Sequence, residues 1–255
     1  MQITDRRQII QDDDYAFPYH YVPQFAPGYT QTYSWSWALH YMGAMEFIIA
    51  QVKALKPESV ADIGTGDGRL VREMAAALPG VRVVGVDYSA RAIQLAKALN
   101  PALEFHRMDI IAEKPDQPFH VVTLIEVFEH IPQELTAAFV KALRAFVRED
   151  GHLIVTVPHS NVPTSIKHFQ HFSRESLQSA FSDHFSLEEI AFLDRKSPVV
   201  KWLKKLLENK YFILTHWGVR NRLYRFYKKH FVQAQEDNCQ RLYMRFRPRP
   251  QTDSR

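Results

Sequence analysis

Three groups able to move a proton or hold a metal fall within five residues: Glu126, Glu129 and His130, in "EVFEH". They close the apolar run "FHVVTLIEV" (119–127), so the pattern predicts a strand that delivers them to one end of a sheet. Glu126 and Glu129 are three apart and Glu126 and His130 four apart; in a helical turn they share one face, as a metal site needs. Without a metal, a histidine becomes the natural base, because imidazole titrates near neutral pH. The stretch "PHSNVPTSIKHFQHFS" (158–173) follows the next strand-like run and adds His159, Asn161, His168 and His171. His130, His168 and His171 are the candidate bases, and His159 and Asn161 are candidate acceptor contacts.

A second constellation precedes this one. "VADIGTGDGRL" (60–70) reads as a strand, a glycine-rich turn and a helix start. Gly64, Gly66 and Gly68 let the backbone approach a ligand, with Thr65 and Asp67 between them. Acids close the next two strand-like runs: Asp87, followed by Tyr88, and Asp109, followed by Ile110. Parallel-sheet ligands sit outside the carboxyl ends of the strands, so Asp62, Asp67, Asp87, Asp109 and Glu126 ring one crevice. Such a ring repels a pyrophosphate and suits a ligand carrying positive charge, hydroxyls and an amino group. S-adenosylmethionine has all three. Asp87 is expected to accept its ribose hydroxyls and Asp109 its adenine amino group, while Asp62 and the Gly64–Gly68 backbone hold the methionine end.

Four motifs, "DIGTGDG", "GVDYS", "HRMDI" and "LIEVFEHI", resemble in order and spacing those of class I S-adenosylmethionine-dependent methyltransferases, over about residues 59–193. The resemblance implies a Rossmann-like α/β fold: a seven-stranded, mostly parallel sheet with an antiparallel last strand, here "RLYMRFR". The Glu-x-x-Glu-His turn resembles that of ubiquinone-pathway O-methyltransferases and, with a distant histidine, the metal site of small-RNA 3′-terminal 2′-O-methyltransferases. By that likeness Glu126, Glu129, His130 and His171 are the candidate ligands of Mg²⁺ or Mn²⁺. The implied reaction is methyl transfer to a small-molecule acceptor, most readily at an oxygen of a sugar-like, nucleotide-linked or phenolic compound. An RNA 3′ end and a non-catalytic cofactor-binding role are the alternatives; no nucleic-acid-binding module is recognisable, so nucleic acid is not the expected partner.

The elements that must position these residues alternate in the α/β manner from Ser59 onward. Apolar stripes at Leu70, Val71, Met74, Ala75 and Leu78, and at Leu135, Phe139, Leu143 and Phe146, predict two of the intervening helices. Residues 1–36 form an arm rich in aromatics, in which Tyr19, His20 and Tyr21 are candidate acceptor contacts, and a helix is expected from about Trp37 to Leu55. The core is expected over 37–194, a basic helical insertion over 195–237, the last strand at the sheet edge over 238–248, and a disordered tail from about Pro248. Charge divides the same way: residues 1–193 carry a net −7 and residues 194–255 a net +11. The basic charge suits an anionic acceptor, nucleic acid or anionic lipid, while the apolar residues of the same module suit a core face or the seam of a homodimer. Cys239 is the single cysteine, which excludes an intrachain disulfide, and no apolar run is long enough to span a membrane. The start of the chain lacks an apolar leader core, so the cytoplasm is the expected location.

Overall fold

The structure is a computed structural model that describes residues 33–207 and 216–250, with Arg6, Arg7, Ile9, Tyr211, Phe212 and Leu214. Tyr19, His20 and Tyr21 lie outside the described residues. Helix α1 (Tyr33–Ala54) leads into β1 (Ser59–Ile63), α2 (Arg69–Ala77), β2 (Arg82–Asp87), α3 (Ala90–Leu99) and β3 (Glu104–Arg107). There follow β4 (Phe119–Ile125), α4 (Thr136–Phe146), β5 (Val147–Pro158), α5 (Arg174–Phe181) and β6 (Phe185–Leu193). Helices α6 (Pro198–Leu207) and α7 (Trp217–Phe231) precede the last strand, β7 (Arg241–Pro248). Helix α1 begins at Tyr33, earlier than its apolar pattern predicts.

The seven strands form one sheet in the order β3-β2-β1-β4-β5-β7-β6. All run parallel except β7, which is antiparallel to both its neighbours. Strand β7 is therefore not at the edge, as expected, but is inserted between β5 and β6. Its residues show why: Leu242, Met244 and Phe246 are buried on one face and Tyr243 on the other, which requires layers on both sides. Nor does order stop at Pro248, since the Arg249 amide donates to His184 O at 2.8 Å.

Consecutive strand residues feed two separate cores. Val122, Leu153, Val155 and Met244 pack with Phe139, Leu143 and Phe146 of α4 and with Leu177 and Phe181 of α5. Val121, Ile154 and Tyr243 pack on the opposite face, against Ile48 and Val52 of α1, Val71 and Met74 of α2, and Ile93 of α3. A smaller third cluster joins Leu39 of α1 to Val200 and Leu207 of α6 and to Tyr227 and Phe231 of α7. The basic segment thus packs against α1. The strand order reverses between β1 and β4, which opens a crevice at their carboxyl ends.

Candidate functional site

That crevice, about 930 Å³ including its open mouth, receives residues from four strand ends. Gly64 comes from β1, Asp87 and Tyr88 from β2, Asp109 and Ile110 from beyond β3, and Glu126 and His130 from beyond β4. Its apolar walls are Met108, Ile111, Val127, Ile131, Leu135 and Phe139. Sequence reasoning did not single these out as ligand contacts, because neither an apolar loop residue nor the helix stripe that holds Leu135 and Phe139 carries a signal that separates ligand contact from packing.

The glycine turn is built for close approach. Gly64 has φ +75°, and a Cβ there would lie 2.3 Å from Val127 Cγ2, against the loop that carries the Glu126 turn. The turn is tied to β2, because the Gly66 N–H donates to Asp87 Oδ2 at 3.0 Å and the Ser89 N–H to Oδ1 at 2.9 Å. Asp87 is thereby buried and oriented, and carboxylate oxygens have capacity for further donors. Asp109 lies at the same rim, its Oδ1 accepting from the Ile111 N–H at 3.1 Å.

Asp62, Thr65 and Asp67 lie behind the lining residues. Asp62 accepts from the Thr123 hydroxyl at 2.7 Å, yet burial pushes its carboxyl up to about 7; the Thr123 and Thr65 hydroxyls oppose the shift and the Asp87 charge adds to it. Burial also raises Asp67, whose Oδ1 accepts from the Arg69 N–H at 3.2 Å. A ring of acceptors around a glycine turn, with one carboxyl that a nearby cation would ionise, fits the chemistry of S-adenosylmethionine.

The "EVFEH" residues divide into two groups. Phe128–His130 form a single 3₁₀ turn, which Pro132 follows, so Glu126 lies outside it with φ +55°. Glu126 faces β5 and β7: it accepts from the Thr156 hydroxyl at 3.0 Å and pairs with Arg241 Nε at 3.0 Å. Glu129 is buried, its Oε2 has no hydrogen-bond partner among the described residues, and burial, reinforced by the Glu126 charge, raises its pKa well above the usual range. One donor atom from each of Glu129, His130 and His168 lies within 4.8 Å of the others.

The proton positions in this cluster follow from its partners. His171 Nδ1 bonds Val162 O at 2.8 Å and His130 Nδ1 bonds Lys167 O at 3.1 Å; a carbonyl only accepts, so both Nδ1 atoms carry protons. In the neutral rings, His171 Nε2 then accepts from His168 Nδ1 at 2.7 Å. The lone pairs of His130 and His168 are consequently both on Nε2. Burial, with His130, His171 and Lys167 nearby, pushes His168 down to about 3, so it remains neutral. Of the four expected ligands, Glu129 and His130 come together, His168 completes the group, His171 orients His168 from behind, and Glu126 belongs to another network.

That network centres on Arg241, which no local pattern marked beyond its place on the polar side of a strand. Its guanidinium also pairs with Asp194 Oδ2 at 2.9 Å, and Asp194, like Glu126, has a left-handed backbone with φ +59°. Asp194 Oδ1 accepts from the Tyr227 hydroxyl at 3.0 Å and lies 3.3 Å from His40 Nδ1. Burial alone would raise Asp194, but Arg241, His40 and Tyr227 outweigh it and hold the carboxyl below its ordinary value. One chain of contacts therefore runs from α1 and α7 to the crevice. His159 and Asn161 lie beside it rather than on the crevice wall. The Asn161 N–H donates to His159 Nδ1 at 3.0 Å, and the Asn161 amide donates to Glu236 O at 2.6 Å, near Cys239. Cys239 is buried there, its thiol pushed up to about 11 by burial.

A family model described as a methyltransferase domain matches residues 39–197, and the chain belongs to that family. The ubiquinone biosynthesis O-methyltransferase of Alkalilimnicola ehrlichii is 31% identical over 123 residues, which are 46% of this chain and 48% of that protein. The trans-aconitate 2-methyltransferase of Rhodopseudomonas palustris is 31% identical over 111 residues, 44% of this chain and 43% of that one. The chain spans about half the length of the curated relatives it matches. Among solved structures, magnesium protoporphyrin IX methyltransferase from Synechocystis, with bound S-adenosylmethionine, superposes with a TM-score of 0.60 at 15% identity, covering 97% of this chain and 99% of that one. The fold is that of class I S-adenosylmethionine-dependent methyltransferases.

Proposed function

We propose that this protein transfers the methyl group of S-adenosylmethionine to an oxygen of a small acceptor bearing a phenol or vicinal hydroxyls. The observation that carries the reading is the convergence of Glu129, His130 and His168, with His130 on the crevice wall. Bound S-adenosylmethionine supplies an electrophilic methyl on a sulfonium. The protein must orient the acceptor in line with that methyl and take a proton from its hydroxyl. His130 Nε2, an acceptor nitrogen at the crevice, suits that second task. Similarity to O-methyltransferases over the matched half of the chain supports oxygen as the target.

The same three residues fit a divalent cation. Two lone-pair imidazole nitrogens and an unpartnered carboxylate oxygen form a donor set, and such an ion would lower the pKa of a coordinated hydroxyl. Titrating Mn²⁺ calorimetrically into metal-stripped protein saturated with S-adenosylhomocysteine is expected to show one ion per chain. Glu129→Ala should weaken it by roughly a hundredfold. Failure of both Mn²⁺ and Mg²⁺ to bind would leave His130 as an unassisted base. In an assay of phenolic and catecholic acceptors, His130→Ala should lower kcat/KM by on the order of a hundred- to ten-thousandfold. Wild-type transfer to amines but to no hydroxyl acceptor would overturn the oxygen assignment.

A further inference from the structure

Among the described residues, twelve large apolar side chains remain exposed, and eight of them lie between Val199 and Phe226. The same part of the chain concentrates positive charge: from Lys196 to His230 there are ten lysines and arginines and a single acid, Glu208. Helix α6 is apolar on two sides. Val200, Leu203 and Leu207 are buried, whereas Val199, Trp202 and Leu206, spaced i, i+3 and i+7, point outward. Trp202 is 71% exposed, with Lys205 Nζ 5.4 Å from its ring centre. Helix α7 repeats the design: Tyr227 and Phe231 pack inward, while Phe226 is exposed together with Arg222, Arg225 and Lys229. Trp217, at its first turn, is 73% exposed.

Scattered surface apolar residues are ordinary, but an exposed apolar stripe set among cations marks an interaction surface. A second copy of the chain docked across this face would oppose two strongly basic surfaces. A nucleic acid would use the cations and the rings but would leave Val199, Leu206 and Val219 with nothing to bury against. An anionic bilayer satisfies every component: acyl chains for the aliphatic side chains, the headgroup boundary for the tryptophans, and lipid phosphates for lysine and arginine. We propose that the outward faces of α6 and α7 dock this protein reversibly on anionic membrane. No described helix is long and apolar enough to cross a membrane, so the docking is peripheral. The inference is independent of the acceptor and of any metal.

The test is co-sedimentation of the full-length protein with vesicles of phosphatidylcholine, with and without phosphatidylglycerol, at low and high salt. Binding is expected to the anionic vesicles only and to weaken with salt. Brominated lipid should quench part of the tryptophan emission, and the Trp202→Ser/Trp217→Ser variant should lose that quenching. Arg222→Glu/Lys229→Glu should weaken vesicle binding by at least roughly tenfold. Unchanged S-adenosylhomocysteine affinity in both variants establishes that they remain folded, and that readout also keeps this test separate from the cofactor reading. No vesicle binding, binding unaffected by either variant, preferential binding to an RNA oligonucleotide, or a dimer that buries the two tryptophans would each overturn the proposal.

Discussion

Asp62 is the residue whose protonation most directly links fold to ligand. Burial lifts its folded pKa to about 7, well above the ordinary aspartate range, so the neutral form suits the apo protein. The sign follows: as pH rises from near 4 toward 7, the unfolded chain ionises first and stability falls, by up to about 4 kcal/mol for a shift of this size. Asp62→Asn should flatten the thermal stability of the apo protein across that window. A ligand that brings an ammonium to this carboxyl favours its ionised form. Affinity for S-adenosylhomocysteine should therefore rise with pH up to about 7, with proton release visible as a buffer-dependent calorimetric enthalpy below it. Equal affinity at pH 6 and pH 8 would remove Asp62 from the ligand's cationic end. The acids and glycines were legible in the sequence because residue type and spacing carry their chemistry. His168 and Arg241 were not separable from their neighbours, since one residue of difference in a loop, or the choice of strand neighbour, decides which side chain reaches the cluster.

Between elements, Arg241 joins three strand ends and two helices. It holds two acids, Glu126 and Asp194, whose backbones are both left-handed, a conformation that persists in such residues only when surroundings enforce it. Arg241→Met would leave both carboxylates without their cation and should lower stability by about 3–5 kcal/mol in urea unfolding, because breaking a buried pair costs more than the pair contributes. Arg241→Lys keeps the charge but not the fork that spans two partners, and should recover only part of the loss. Stability within about 0.5 kcal/mol of wild type in Arg241→Met would show that the strained turns hold without it. The strands themselves were readable as apolar runs bounded by turns. The position of β7 was not, because sheet order depends on pairing between segments about ninety residues apart, such as Val155 and Met244, and a strand's own alternation does not name its neighbours.

Across the whole molecule, packing is uneven. The two cores on the sheet faces draw on every strand, whereas α6 and α7 are held by a small cluster around Leu39, Tyr227 and Phe231. Native-state hydrogen exchange should find the amides of α6 and α7 opening with a lower free energy than those of β4 and β5, by at least about 2 kcal/mol. Equal protection would make the cap part of one cooperative unit with the sheet. The charge division along the chain was visible in composition alone; its basic side holds α6 and α7 together with β7, which packs within the sheet. The inward face of α6 was legible too, since Val200, Leu203 and Leu207 share one helical face; that Val199, Trp202 and Leu206 stay exposed on the other side needed the structure.

The environment of Cys239 gives the molecule a built-in reporter. The thiol is the only one in the chain, it donates to Glu236 O at 3.3 Å, and it lies two residues before Arg241. At neutral pH it is almost entirely protonated and shielded, so an alkylating reagent reaches it when the segments around Glu236 and Asn161 that cover it open. Its modification rate therefore reports openings of the segment that leads into β7, and a ligand that steadies that segment through Arg241 should register, without any label, as a slower-reacting thiol.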